Sequence, residues 1–388
     1  MTAGTRSRLS RWAMPILVAM LTVAAFFPAL QNGFVDWDDN TGLLNNLSYR
    51  GLGWEQLRWM FTTFHLGHYQ PLTWVTFGLD YLVWGMDPFG YHLTNLLLHA
   101  LNAVVFYFVA LRLFSLSVSV SSGDFALRAA SGFAALLFSI HPLRVESVAW
   151  ATERRDVLSG LFFLLTLLCY LRAAKADSGA EHLKWLGVAV LAYVFSLLAK
   201  DVGMMLPSAL KVLDVYPLMR FGAGGGKWFG PEAQRIWWEK APFAFLALVA
   251  AAVAIMAQSV ALKSFAVHDS AGRLAQALFG LGYYLRKTLL PVGLSPIYEL
   301  PRPFIPWDWP YLASGLAVSA IAAGLIILRC RWPAGLAAGI YYAAMLAPVL
   351  GIAQSGSQLV ADRYSYLSCL GWALLAGGGY LCLQRRWL

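Results

Sequence analysis

Long apolar runs alternate with short polar segments along most of this chain, and the runs approach the ~20 residues that cross a hydrocarbon core as a helix. They fall at about 12–30, 92–111, 127–141, 157–171, 185–199, 202–219, 241–258, 310–328, 333–353 and 364–383. The pattern predicts an all-α polytopic membrane protein with ten spans. An eleventh stretch, 273–290, carries Arg273, Arg286 and Lys287 and is read as a re-entrant or interfacial helix rather than a full span. Residues 31–91 break the pattern. There Trp54, Leu57, Phe61 and Phe64 share one helical face, and after Pro71 so do Trp74, Phe77, Tyr81 and Trp84. These two segments predict helices lying in the interface plane, where Trp and Tyr are favoured. Two readings stand for them: anchors for a large loop, or walls of a groove for a lipid carrier.

Composition agrees with a membrane domain. Of 388 residues, 59% are hydrophobic and 13% charged, whereas a soluble domain is roughly a quarter charged. No Ser/Pro-rich linker divides the chain, and no internal repeat of the kind found in many secondary transporters is visible. Residues 1–388 are therefore read as one domain, with 31–91 as a first outer loop and 259–309 as a second outer region. The net charge of +9 first suggests an anionic polymer as partner. With the ten spans placed, however, one side collects 16 Lys and Arg against 5 Asp and Glu, the other 12 against 14, and Lys211 and Asp214 fall within a span. The positive-inside rule absorbs the excess, so nucleic acid is not expected. The same count argues against a full span at 273–290, which would move Arg329, Arg331, Arg385 and Arg386 outside. Arg6, Arg8 and Arg11 precede the first run, whose apolar core is too long for a signal peptide. It reads as an uncleaved anchor with a cytoplasmic N-terminus. Cys169, Cys330, Cys369 and Cys382 have neither metal-ligand nor disulfide-framework spacing.

Candidate chemistry gathers on the less basic side. Asp36, Asp38 and Asp39 open the first outer loop. Three acids in four residues are compatible with a solvated turn or a helix N-cap, but in an extended segment Asp36 and Asp38 share a face and Asp39 points away. One of the pair Asp38 and Asp39 can then face a substrate while the other binds backbone or a cation. The stretch His141-Pro-Leu-Arg-Val-Glu-Ser-Val-Ala-Trp-Ala-Thr-Glu-Arg-Arg-Asp156 is the second polar concentration. If helical, it places Glu146, Trp150 and Glu153 on one face and Arg144, Val148, Ala151 and Arg155 on another. Arg154 and Arg155 suit bidentate bonds to a phosphate, with internal pairing to Glu153 and Asp156 as the competing reading. Lys200-Asp201 is a charged turn between two apolar runs. Tyr283, Tyr284, Arg286, Lys287 and Tyr298 form a basic and aromatic group, and Asp362-Arg363-Tyr364 stands at the mouth of the last run. His65, His68, His92, His99, His141, His182 and His268 lack metal-site spacing, and no metal is assigned. His92 and His99 share a helical face as packing residues. Carboxylates beside cations at one membrane face fit the deprotonation of a hydroxyl coupled to departure of a lipid-linked phosphate.

Several strings carry a family resemblance: Phe34-Val followed by Asp38-Asp39, Tyr69-Gln-Pro-Leu-Thr, Tyr91-His-Leu-Thr-Asn-Leu-Leu-Leu-His-Ala-Leu-Asn102, His141-Pro-Leu-Arg-Val-Glu-Ser-Val-Ala, Leu198-Ala-Lys-Asp201 and Ala361-Asp-Arg-Tyr-Ser-Tyr-Leu367. In order and spacing, over about residues 33–370, they resemble the transmembrane and tetratricopeptide-repeat O-mannosyltransferases and their bacterial relatives, within the GT-C superfamily of glycosyltransferases. The resemblance implies a GT-C-type membrane domain and inverting transfer of a sugar, mannose or another hexose. The donor would be a polyprenyl-phosphate-linked sugar and the acceptor a hydroxyl of a protein, lipid or glycan. The implied setting is the inner (cytoplasmic) membrane, with the active site facing the periplasm. The catalytic carboxylate falls on Asp38, with Asp39 second. Donor-phosphate contacts are expected among Arg154, Arg155, Lys200, Arg286, Lys287 and Arg363, and further site residues among His68, Tyr69, Gln70, Glu146, Asp201, Tyr298 and Asp362. No cofactor beyond the lipid-linked co-substrate is expected. A divalent cation is compatible with the acids but not implied.

Two departures qualify the resemblance. Gln70 stands where animal members carry Arg, and no tetratricopeptide repeats follow the last run before Leu388. Any acceptor-presenting module is thus expected to be missing or to lie in another polypeptide. The competing functional readings are a transporter or flippase for a lipid-linked sugar, which predicts charged or broken helices at mid-bilayer, and a non-catalytic scaffold.

Overall fold

The computed structural model describes residues 3–117, 125–221, 228–259, 269–352 and 358–386. Asp124, Lys227 and His268, part of the second outer region (260–268) and part of the last outer loop (353–357) lie outside the described residues.

Each of the ten predicted runs coincides with a helix. These are α1 (Ala3–Phe26), α4 (Pro88–Ser117), α5 (Phe125–Ser139), α7 (Arg154–Ala173), α8 (Gly179–Ala199), α9 (Leu206–Val215), α10 (Pro231–Gln258), α12 (Trp309–Ile327), α13 (Pro333–Leu346) and α15 (Leu370–Arg386). Between them lie α2 (Trp54–Thr62), α3 (Pro71–Trp84), α6 (Val145–Ala149), α11 (Ser270–Leu289) and α14 (Ser365–Ser368). The one sheet among the described residues is a two-stranded antiparallel ladder, β1 (Tyr298–Glu299) with β2 (Gln358–Val360). The protein is a helical integral membrane protein.

By length and apolarity, 6 helices qualify as full spans, or up to 8 if two bent pairs each count as one. The ten-span expectation is corrected most clearly at α9. Its 10 residues rise only about 15 Å, half of a ~30 Å core. The apolar run continues to 219 in sequence, but Pro217 lacks the amide needed to extend a helix.

The helix α7 is the central post. Most of its length is buried, and it packs most closely on α8 and α4, whereas α10 and α12 bury almost nothing and face lipid. Polar ties pin its upper half. Asn102 donates to the Val157 carbonyl at 2.7 Å and to the Tyr366 hydroxyl at 2.8 Å. His99 bridges the same hydroxyl, at 2.8 Å, to the Ser139 carbonyl, at 2.9 Å, so it is a packing residue. Gly160 permits the approach, since a Cβ there would lie 2.8 Å from the Tyr366 ring.

The first outer loop divides its labour. Trp54 and Phe61 of α2 are exposed, as an interfacial helix requires, whereas Trp74 and Phe77 of α3 are fully buried against Tyr49 and Tyr91. Thr73 donates to the Ala199 carbonyl at 2.9 Å, which fixes α3 against the end of α8. The helix α11 is not among those long and apolar enough to span. Arg273 near its start donates to the Ile352 carbonyl at 2.6 Å, and the Thr288 carbonyl near its end is 3.1 Å from His141 Nε2. The segment after α13 and the loop after α5 thus hold its two ends.

At the opposite face a second polar hub joins α7, α8, α9 and α10. Asp214 accepts from Tyr170 at 2.7 and 2.9 Å and pairs with Lys240. Arg220 forks onto Glu239 at 2.6 and 2.8 Å, and His182 lies 3.3 Å from the same carboxylate. Asp214, which the sequence places inside a span, is thus paired at the end of the short helix α9.

Candidate active site

The polar loop after α5 is not one helix. Pro142–Arg144 forms a 3-10 turn, α6 follows, Trp150 is extended, and a second 3-10 turn (Ala151–Glu153) leads into α7. The break at Trp150 turns the first residues of α7 beneath the outer surface, which buries a row of charges that could not exist there singly.

Glu153 organises that row. Its carboxylate accepts from Arg155 at 2.5 and 3.1 Å, from Lys200 at 3.3 Å and lies 3.3 Å from Arg363 Nε. Lys200 also donates to Asp156 at 2.5 Å, and Asp156 accepts from Ser147 at 3.0 Å. Arg363 pairs with Glu146, which further accepts from the Arg363 amide at 2.8 Å, and its guanidinium lies 5.6 Å from the Trp150 ring. Three buried or half-buried carboxylates, Glu146, Glu153 and Asp156, are therefore matched by three cations, Arg155, Lys200 and Arg363. Burial by itself would lower the Lys200 ammonium, but Asp156 and Glu153 outweigh it and hold the group above its ordinary value.

Asp38 meets this hub only loosely. Its side chain is 39% exposed and lies 3.8 Å from Arg155, and it accepts no hydrogen bond among the described residues. Its neighbour has the opposite character. Asp39 is fully buried, with Oδ1 accepting from the Thr152 amide at 2.9 Å and Oδ2 from the Val35 amide at 3.0 Å. Burial pushes the Asp39 carboxyl up, and these two amides partly offset it. Asp39 is thus a structural clasp that seats the loop on the start of α7, and so presents Asp38 to the rim. Asp36 accepts from Asn40 at 2.6 Å on the exposed side. The local backbone is a turn at Asp36 leading into a helical stretch at Asp38 and Asp39, not the extended segment the alternation assumed, yet the pair still divides into one loosely paired and one backbone-bound acid.

The other anticipated residues distribute over three places. His68 is half-buried beside the hub, where burial first, and then Arg155 and Lys200, hold it well below its ordinary 6.5. Asp362 accepts from Tyr283 at 2.8 Å and Tyr298 at 3.2 Å, which sets a tyrosine-clasped acid next to Arg363. Arg286 is exposed 5.9 Å from the Tyr283 ring. Lys287 is turned aside, because its ammonium is taken up by the carbonyls of Val292 and, at 2.8 Å, Gly293. Arg154 is not at the rim. It is fully buried, bonds Asp80 at 2.5 Å, Asn95 and the Tyr91 carbonyl at 2.8 Å, and lies 4.4 Å from the Phe77 ring. That cage leaves no room for a donor phosphate and makes Arg154 the bolt between α3, α4 and α7. Tyr69 donates to the Phe61 carbonyl at 3.1 Å. Gln70 is buried at the start of α3, with its side-chain oxygen unpartnered. Asp201 joins no ion pair among the described residues.

Asp80 and Asn95 are participants that the sequence motifs did not single out, whereas Asp156 takes the pairing role that was the competing reading for this stretch. An acid in an otherwise apolar helical stretch, as Asp80 is, was a usable signal, since such a charge persists only when paired. Among the described residues no group of three or more His, Cys, Asp or Glu side chains is arranged to hold a metal ion.

The low His68 value has a measurable consequence. Between 6.5 and its folded value the unfolded chain binds more protons than the folded one, so stability is intact above about pH 6.5 and declines as pH falls below it, with a slope under about 1.4 kcal/mol per unit. His68→Gln should flatten that limb when the melting temperature is followed from pH 7.5 to 5 in a fixed lipid. An unchanged limb would show that His68 is not its source.

No family model matches the chain. Among curated proteins, the Xenopus laevis protein O-mannosyl-transferase tmtc2 is 36% identical over 150 residues, which is 38% of this chain and 16% of that protein. The Homo sapiens protein O-mannosyl-transferase TMTC4 is 32% identical over 226 residues, 54% of this chain and 30% of that protein. Homo sapiens TMTC3 is 28% identical over 212 residues, 52% of this chain and 21% of that protein. The matched stretch is thus a minor part of each relative's length. Among solved structures, ArnT from Cupriavidus metallidurans bound to undecaprenyl phosphate aligns with a TM-score of 0.47 at 18% identity, covering 94% of this chain and 60% of that one. In sequence, the chain resembles the TMTC protein O-mannosyl-transferases.

Proposed function

We propose that the protein is an inverting GT-C-type glycosyltransferase that moves a sugar, mannose or another hexose, from a polyprenyl-phosphate carrier to an acceptor hydroxyl at the outer face of the inner membrane. The carrying observation is the pairing of a half-exposed carboxylate, Asp38, with Arg155 at 3.8 Å, on the edge of a buried hub assembled from four separate segments. The names of the curated relatives support transfer of mannose by that family.

In this reading Asp38 takes the proton of the acceptor hydroxyl as its oxygen attacks the anomeric carbon. The bond from that carbon to the carrier's phosphate oxygen breaks in the same displacement, which inverts the centre. Charge appearing on the departing phosphate is met by Arg155 and by the exposed Arg286. Arg363 and Lys200 act behind them, by holding Glu153 and so orienting Arg155. The acceptor, a protein, lipid or glycan, is presented by the membrane surface or by a separate polypeptide.

Purified protein incubated with a panel of polyprenyl-phosphate sugars should release polyprenyl phosphate with one of them. Movement of the intact donor across a vesicle bilayer without release would instead favour the flippase. Neither release nor movement would favour the scaffold.

A further inference from the structure

A well-formed cavity lies away from the outer charges. It has a volume of about 530 Å³, within the ~300–1,000 Å³ range of small-molecule sites, and runs between α4, α9, α13 and α15. Its walls are almost wholly apolar, with Phe114, Val212, Ala337 and Leu374 prominent among them. Leu167, which also faces it, lies on α7 well beyond Glu153, which puts it roughly 20 Å deeper by helical rise. Glycines of α15 line the groove. A Cβ added at Gly378 would make ordinary contact with the Phe114 ring at 3.8 Å, and one added at Gly379 would meet nothing within 4 Å.

Water is a poor occupant, for it would find few of the 2–4 polar partners it needs in such a cavity. The mouth supplies the rest of the ligand's chemistry. Arg331 and Trp332, in the turn between α12 and α13, line the end of the groove and are both exposed. Arg331 joins no ion pair among the described residues. By the charge distribution this is the cytoplasmic side, where anionic lipids concentrate and basic pockets between helices bind their headgroups.

We infer that this groove is a resident-lipid site, distinct from the proposed donor site, in which an acyl chain of an anionic inner-leaflet phospholipid fills the space between α4 and α15 while its phosphate meets Arg331. The lipid ties α13 and α15, which carry the Asp362 and Arg363 segment on their outer ends, to the body of the protein.

The test uses native mass spectrometry of the full-length protein, with added phosphatidylglycerol or phosphatidylcholine as probes, together with melting temperature in phosphatidylcholine nanodiscs with and without phosphatidylglycerol. The wild type should retain phosphatidylglycerol in preference to phosphatidylcholine and melt higher with it. Arg331→Gln should weaken phosphatidylglycerol binding about fivefold, and Gly378→Leu, which fills the groove, should abolish retention of either lipid. Equal retention of the two lipids, wild-type binding by Arg331→Gln, or a groove that retains only a polyprenyl phosphate would each overturn the proposal. Because Arg331 is exposed, that variant remains informative even if Gly378→Leu folds poorly.

Discussion

Asp38→Asn is expected to reduce sugar transfer by about 10²–10⁴-fold, the usual contribution of a general base, while leaving the folded state essentially intact. The carboxamide keeps the size of the side chain but cannot accept the acceptor's proton. Stability should hardly change, because Asp38 is 39% exposed and meets Arg155 only at 3.8 Å without a hydrogen bond, a loose pairing nearer to the class worth roughly 0–1 kcal/mol. If the carboxylate acts only in the transition state, kcat and kcat/KM fall together. Asp39→Asn separates this effect from structural damage. At least one of its two backbone bonds, to Val35 and Thr152, is lost to an amide nitrogen that cannot accept. A buried donor left unpaired costs about 1–3 kcal/mol, so that variant should lose melting temperature first and activity as a consequence. An Asp38→Asn enzyme with turnover within tenfold of wild type would remove Asp38 from the chemistry.

Glu153→Gln is expected to be the most destabilising conservative change in the outer half, at about 3–5 kcal/mol, the cost of removing one partner from a buried ion pair. Glu153 alone touches Arg155, Lys200 and Arg363. Its neutralisation leaves three cations with Glu146, Asp156 and the loosely paired Asp38 to match them. These partners come from the start of α7, the end of α8 and the segment before α14, so the loss should loosen three elements at once. The check is the apparent melting temperature in one fixed lipid, with Glu153→Gln/Lys200→Met as the second arm. Removing one stranded cation should recover part of the loss, because contacting residues are coupled rather than additive. A Glu153→Gln protein that melts with the wild type would show the hub to be loosely held.

The cations are already balanced by buried carboxylates, so under the proposed function a donor phosphate meets no bare positive patch. It would compete for the outer edge of Arg155, where Asp38 pairs only loosely, or use the exposed Arg286. That balance is also what allows Arg155 and Lys200 to remain charged beneath the surface.

Much of this was visible in the chain itself, and the limits have physical causes. Ten apolar runs marked ten helices because the bilayer demands satisfied backbone groups, whatever the neighbours. The charge count argued against a crossing at 273–290, since translocation responds to Lys and Arg directly, and α11 is not among the helices long and apolar enough to span. Run length misjudged α9, because a run counts apolar residues without asking whether Pro217 lets a helix continue. The acids and cations of the outer face were named from the chain, but their partners were not. Arg154 and Arg155 are consecutive and chemically identical. Only the turn at Trp150 and the advance of about 100° per helical residue send one into a cage of Asp80, Asn95 and Phe77 and the other to the rim.

The sequence by itself determined that this is a multi-spanning helical membrane protein, which face carries the acids, and which family its motifs resemble, because hydropathy, charge asymmetry and ordered motifs are properties of the chain read in one dimension. The tertiary structure alone decided which acid stays loosely paired. Asp38 and Asp39 are adjacent and alike until Thr152, more than a hundred positions away, offers its amide to one of them, and that choice depends on packing across the bundle, which no local pattern encodes.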